Sequence, residues 1–147
     1  MSENYILYLQ TDLSPEKVLE LIFQPKTIAP LDGTDMIYAR GSVYLAHAQS
    51  ISETMQEKYN HQIGFSPSMS IRYFPDGVSS VRIAWSILLD GILRWLNANQ
   101  HNVHLLGNNQ VTVLKRLNNS ISINVAHRFW QGEQLKKLNL PYEEVTT

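Results

Sequence analysis

Residues 78–97 constrain this chain more than any other stretch. Apolar side chains at 81, 85, 88, 89, 92, 95 and 96 recur at close to helical spacing, with more apolar residues beside them. Arg82, Ser86, Asp90 and Arg94 fall every four residues, so the polar side chains make one narrow ribbon. A helix that is apolar around the rest of its circumference must be packed on most sides. The pattern therefore predicts a long buried helix that organises the core, with the ribbon facing water. Asp90 lies four residues before Arg94, the orientation that favours an ion pair of about 0.3–0.5 kcal/mol on an exposed face. Three charges within residues 81–96 exclude a membrane span.

The remaining segments must supply what that helix packs against. Residues 4–11 (NYILYLQT) are aromatic and branched on both alternating sets, which suits a central strand. Ser14 is placed to cap a short helix over residues 15–23, with Pro15 at its first position, Leu13 stapling onto Val18, and Pro25 stopping it. Pro30 and Asp32-Gly33 mark a loop, followed by β-rich runs at 36–40 and 42–48 about Gly41. Ser50 and Glu53 have capping-box spacing before a second short helix over 51–59. In SPSMSIRYF, Met69, Ile71 and Tyr73 alternate with Ser68, Ser70 and Arg72, as in a strand with one buried face.

After the long helix, runs at 103–106, 110–116 and 120–125 are separated by Gly107-Asn108-Asn109 and Asn118-Asn119. Those turn residues predict a three-stranded antiparallel meander. The tail is aromatic, then helical, and residues 141–145 close it as a short edge segment. The fold class is thus α+β: a mostly antiparallel sheet, one long buried helix and two or three short ones. A length of 147 residues and the lack of a long linker fit one domain over 1–147.

Composition removes several function classes. There is no cysteine, so thiolate nucleophiles, disulfides and iron–sulfur clusters are excluded. Twelve basic and 13 acidic side chains leave a net charge of −1, which does not favour nucleic acid or an anionic membrane. The start MSENYILYLQTD lacks a basic segment followed by an apolar one, so a cytoplasmic protein without a secretion signal is expected. No G-x-S-x-G elbow, phosphate-cradling glycine cluster or S-x-x-K beyond chance spacing is present.

His101 and His104 are three apart, but the segment passes from helix to strand and has no neighbouring carboxylate. His47 and His61 read as surface or packing histidines. His127-Arg128-Phe129-Trp130 is either an anion-holding cluster or, the favoured reading, an aromatic seal on the core. No catalytic residue, metal ligand or cofactor follows. Residues 1–76 carry a net −4 and residues 77–147 a net +3. Asp32, Asp35, Glu53 and Glu57 in the acidic half are the candidate partner-binding residues, forming a patch for a basic partner.

Four stretches carry a family resemblance: GFSPSMSIRYFPD, ILLDGILRWL, HLLGNNQVTVLKRLNNSISIN and FWQGEQLKKLNLPYE. In their order, with Gly64-Phe65-Pro67, Leu105-Leu106-Gly107, Trp130, Leu135 and Pro141-Tyr142, they resemble the Sit-type (swarming-inhibition) bacterial immunity proteins. LSPEKVLEL near the N-terminus fits as well. The resemblance implies a cytoplasmic, non-enzymatic protein that protects its producer by binding a toxin delivered between cells. A face of about 800 Å² per partner would cover the toxin's active cleft. The alternative is a small-molecule-binding or regulatory module with its pocket between the long helix and the sheet.

Overall fold

The computed structural model describes residues 4–76, 81–107 and 110–145. In chain order it contains β1 (Tyr5–Leu9), α1 (Pro15–Phe23), β2 (Thr27–Pro30), β3 (Ile37–Arg40), β4 (Tyr44–Ser50), α2 (Glu53–Ile63) and β5 (Met69–Pro75). These are followed by α3 (Val81–Ala98), β6 (Val103–Leu106), β7 (Thr112–Leu117), β8 (Ser120–Asn124), a 3₁₀ turn (Arg128–Trp130), α4 (Gln134–Lys137) and β9 (Glu143–Val145). The strands form one sheet in the order β2-β3-β4-β5-β1-β6-β7-β8-β9. Every neighbouring pair is antiparallel except β8–β9, which is parallel. The architecture is α+β, as the order of sequence patterns predicts.

β1 lies at the centre of the sheet, and its double-sided apolar pattern is explained by cover on both faces. Tyr5, Leu7 and Leu9 enter the main core with Met69, Ile71 and Tyr73 of β5 and Leu105 of β6. Val18, Leu19 and Ile22 of α1 and Leu88, Leu89, Ile92 and Trp95 of α3 fill that layer. On the opposite face, Tyr8 joins a smaller cluster with Ile63 and Phe65, against which Ile6, Ile51, Tyr59, Leu106 and Leu117 pack. Among the described residues, α2 is therefore the helix on the outer side, over β1, β6 and β7.

The ribbon on α3 does not simply face water. Arg94 donates to the Ile22 carbonyl at the end of α1 through both Nε and a terminal nitrogen. Asp90 pairs with Lys137 of α4 at 2.6 Å rather than with Arg94, and Lys137 Nζ also reaches Ser86 Oγ at 2.7 Å. Meanwhile Ile83 is 58% exposed. Ser86, Asp90 and Arg94 thus mark the seams where α3 meets α1 and α4, while Arg82 is exposed. Residues 78–80 of the expected helix lie outside the described residues.

Several boundaries differ from expectation for local reasons. Residues 27–30, expected as loop, form edge strand β2, where Pro30 ends the pairing with Ile37 without costing an interior bond. Ser52, not Ser50, caps α2 by accepting from the Met55 N–H at 3.4 Å; Ser50 stays in β4. α2 continues four residues past 59 to Ile63, where Gly64 at φ +87° supplies the left-handed stop. Leu13, expected to staple onto α1, is exposed, although Ser14 caps that helix as anticipated. The Asn118-Asn119 turn has φ of +50° and +71°, a two-residue turn of the kind whose twist suits a hairpin. Of the first meander turn, residues 108–109 lie outside the described residues.

One core residue has a role its strand position does not announce. Arg116 of β7 is 4% exposed and donates to the Leu96 carbonyl at 2.9 Å, the His101 carbonyl at 2.9 Å and Asn99 Oδ1 at 3.0 Å. It caps the C-terminal end of α3, where orphan carbonyls and the helix dipole favour a cation. Burial lowers its pKa from the ordinary arginine value.

Candidate functional site: a groove on the outer face of the sheet

Strand register places three rows of side chains on the face opposite α1 and α3. Arg40, Leu45 and Phe74 form one; Tyr38, His47, Arg72 and Ile6 the next; Gln49, Ser70 and Tyr8 the third. Because α2 covers the β1–β6–β7 side, the rows on β3, β4 and β5 have no helix over them among the described residues. Tyr38, Leu45, His47, Phe74 and Ile6 are half-buried there, while Arg40 and Arg72 are exposed. Where this open half meets α2 there is a groove of ≈ 490 Å³, lined by Ile6, Tyr8, Asp35, Gln49, Ser50, Ile51, Ser52, Met55, Tyr59, Ser70 and Arg72.

The wall of the groove is fixed by contacts that hold α2 to the sheet. The rings of Tyr8 and Tyr59 are 5.0 Å apart in a tilted arrangement, and Ile51 and Ile63 anchor the two ends of the helix. Gln56 Nε2 ties back to the Ile51 carbonyl at 2.8 Å, and Asn60 reaches Ser66 Oγ at 3.1 Å. On the far wall, Asp35 accepts from Gln49 Nε2 at 3.0 Å.

Arg72 is the cation of the groove, and it makes no hydrogen bond or ion pair among the described residues. Its charge is felt by both neighbours. The Tyr8 phenol is pushed up to about 12 by burial and by Tyr59, with Arg72 opposing. His47 is held below the ordinary imidazole value by burial and then by Arg72, and its ring meets Phe74 edge-on at 5.4 Å. The result is an amphipathic concavity with a solvated guanidinium beside aromatic and aliphatic walls. Such a surface can pair a carboxylate while covering apolar area next to it.

Of the acids singled out in the sequence, Asp35 lines this groove; Asp32, Glu53 and Glu57 are exposed and do not. Asp32 sits in the β2–β3 connection. Glu53 and Glu57 lie about 200° around α2 from Met55, which does line the groove, so they occupy the helix's other side. Sequence reading did not single out Arg72, Tyr8 or Tyr59. For Arg72 the signal was its place in the exposed set of an alternating strand; what brings the tyrosines to it is the register and the seat of α2.

The histidines are dispersed. His61 is exposed in the last turn of α2, and His101 is exposed after α3. His104 is 5% exposed with Nε2 2.8 Å from Thr112 Oγ1, and burial, then Lys115, lowers its pKa to about 4. His127 Nδ1 accepts from the Phe129 N–H at 3.1 Å and caps the 3₁₀ turn. Phe129 and Trp130 are buried and Trp130 Nε1 donates to the Val113 carbonyl, so this cluster seals the core. Among the described residues, no three or more His, Asp or Glu side chains are grouped to hold a metal, and no helix is long and apolar enough to cross a membrane.

The space between α3 and the sheet, expected to hold any ligand pocket, is filled by Leu88, Leu89, Ile92 and Trp95. A recess of ≈ 280 Å³ opens at its rim beside Phe23, Tyr44 and Arg94. No curated protein and no solved structure matches the chain. A family model described as SitI3-like matches residues 3–134, a span from β1 to the start of α4 that includes the whole groove. The chain belongs to the SitI3-like family.

Proposed function

We propose that this protein is an immunity protein that binds a cognate toxin delivered between bacterial cells and neutralises it by occluding the toxin's active site. The SitI3-like match over residues 3–134 carries this reading, and it agrees with the Sit-type pattern of segments in the sequence. On this reading the chain acts in the cytoplasm as a single domain over 1–147, has no reaction of its own and works by steric and electrostatic complementarity. Of the four candidate acids, Asp35 in the groove wall and Asp32 in the same β2–β3 connection contribute an acidic rim to the binding face; Glu53 and Glu57, exposed on the other side of α2, would meet the toxin only where it reaches around that helix.

Co-expression with the product of the neighbouring toxin-like gene tests the proposal. The expected result is a stable complex on size exclusion and survival of cells that the toxin alone kills. Absence of both results rejects it. One observation favours a second reading, a small-molecule-binding module: the groove volume falls within the roughly 300–1,000 Å³ of ligand sites. A saturable thermal shift with one member of a metabolite panel, without toxin protection, would select that reading instead.

A further inference from the structure

We infer that the open half of the outer sheet face, centred on Arg72, grips an acidic and partly apolar segment of the toxin; this inference rests on the immunity reading. The rows across β3, β4, β5 and β1 contain two arginines, Arg40 and Arg72, and no carboxylate. Neither arginine has a hydrogen bond or ion pair among the described residues, so both cations are available to an incoming anion. Around them Tyr38, Leu45 and Phe74 leave half-buried apolar area. Tyrosine and arginine beside apolar surface is the composition that carries most binding energy at protein interfaces.

Charge also decides between occupants. A second copy of the chain meeting this face about a two-fold axis through its centre would set arginine rows against arginine rows, with Asp32 and Asp35 left at the edges of the contact. A nucleic acid would find only two cations here, on a chain whose net charge is −1. A carboxylate-bearing protein segment satisfies both arginines and covers the aromatic rows at once.

Size says what else must take part. β4 and β5 have seven residues each and run about 23 Å, and the three open strands span about 10 Å, giving a patch of about 230 Å². An ordinary interface needs about 800 Å² per partner. The open rows therefore form the centre, and the β2–β3 connection with Asp32 and Asp35, together with the Met55 edge of α2, supplies the flanks. A cationic centre with acidic flanks selects a partner with the opposite layout, so an acidic segment bordered by basic residues is the complementary surface.

The test measures affinity for the toxin by calorimetry with variants that keep the parent melting temperature. Arg72→Glu is expected to weaken binding by at least about 30-fold and Arg40→Glu by about 10-fold, while Glu16→Gln, on α1 across the sheet, stays within about twofold. Should Arg72→Glu fail to fold, Arg72→Gln is expected to show about a 10-fold loss. In the complex, hydroxyl-radical labelling of Tyr38 and Phe74 is expected to fall. Folded Arg72 variants that bind within threefold of the parent, or Tyr38 and Phe74 as reactive in the complex as alone, overturn the inference and leave the immunity reading standing. A single-stranded oligonucleotide that displaces the toxin from this face also overturns it. No complex even with the parent protein rejects the immunity reading itself, and the inference with it.

Discussion

His104 holds a neutral imidazole on the outer face of the sheet, beside Lys115 in the cross-strand register. Its Nε2 is bonded to Thr112, and its Nδ1 is buried without a hydrogen-bond partner among the described residues. Protonation there meets both a desolvation cost and a neighbouring ammonium, which is why its pKa falls to about 4. The unfolded chain takes up that proton near pH 6.5, so between about 6.5 and 4 the unfolded state holds more protons and acid favours it. Below about 4 both states are protonated and this contribution to the loss ends. Stability should fall by an amount on the order of 3 kcal/mol across that window. Urea titrations at pH 4.5 and 7.5 are expected to differ less for His104→Gln than for the parent. An equal pH dependence in the two proteins would reject the assignment. Nothing in the spacing of His101 and His104 foretold this: the neighbours that matter, Tyr8 and Lys115, come from other strands. Arg116 is the same kind of case, because a cation in a strand pattern does not declare which helix end it will cap.

Among the elements, the crossing of α1 and α3 is set by Gly91. A Cβ at this position would stand 2.6 Å from Ile22 Cγ2 and 2.7 Å from the Ile22 carbonyl oxygen. The oxygen belongs to the backbone and is held by Arg94, so the last turn of α1 cannot move aside without losing that bond. Gly91→Ala should gain about 1 kcal/mol in helix propensity and lose about 1–3 kcal/mol through overpacking. The net expectation is a melting temperature lower by a few degrees, measured by circular dichroism; a rise would show that α1 shifts freely. Helices were the most legible elements where their ends carry strong signals. Ser14-Pro15 and Pro25 bound α1 as read, and the apolar periodicity led to α3. α2 was legible in kind but not in extent, because its stop depends on the left-handed conformation of Gly64. β2 was hidden by prolines that also occur in loops.

At the scale of the whole molecule, hairpin-length links made the antiparallel majority of the sheet readable, and the tail was read as an edge. The direction of β9 was not legible, since the turn and α4 that carry the chain across before it set that direction only in three dimensions. Ending the chain after residue 139 should remove β9 together with the partly buried Leu140 and Tyr142, and cost about 1–3 kcal/mol. It should also expose the β8 edge, so light scattering is expected to detect stronger concentration-dependent association than in the full chain. A monodisperse truncated protein with parent stability would show that β9 protects nothing. The candidate groove was the least legible feature, because it needs α2 to lie on the opposite side of the sheet from the other helices, and short amphipathic patterns do not specify a side. That placement divides labour along each strand. In β4 and β5, odd and even positions now answer to different demands, one set to the packed helices and the other to the open face. On the immunity reading, side chains at 38, 47, 72 and 74 can therefore be exchanged to suit a changed toxin while Ala39, Ala46, Ala48, Ile71 and Tyr73 keep the same interior, so recognition can diverge quickly on a scaffold that does not have to be rebuilt.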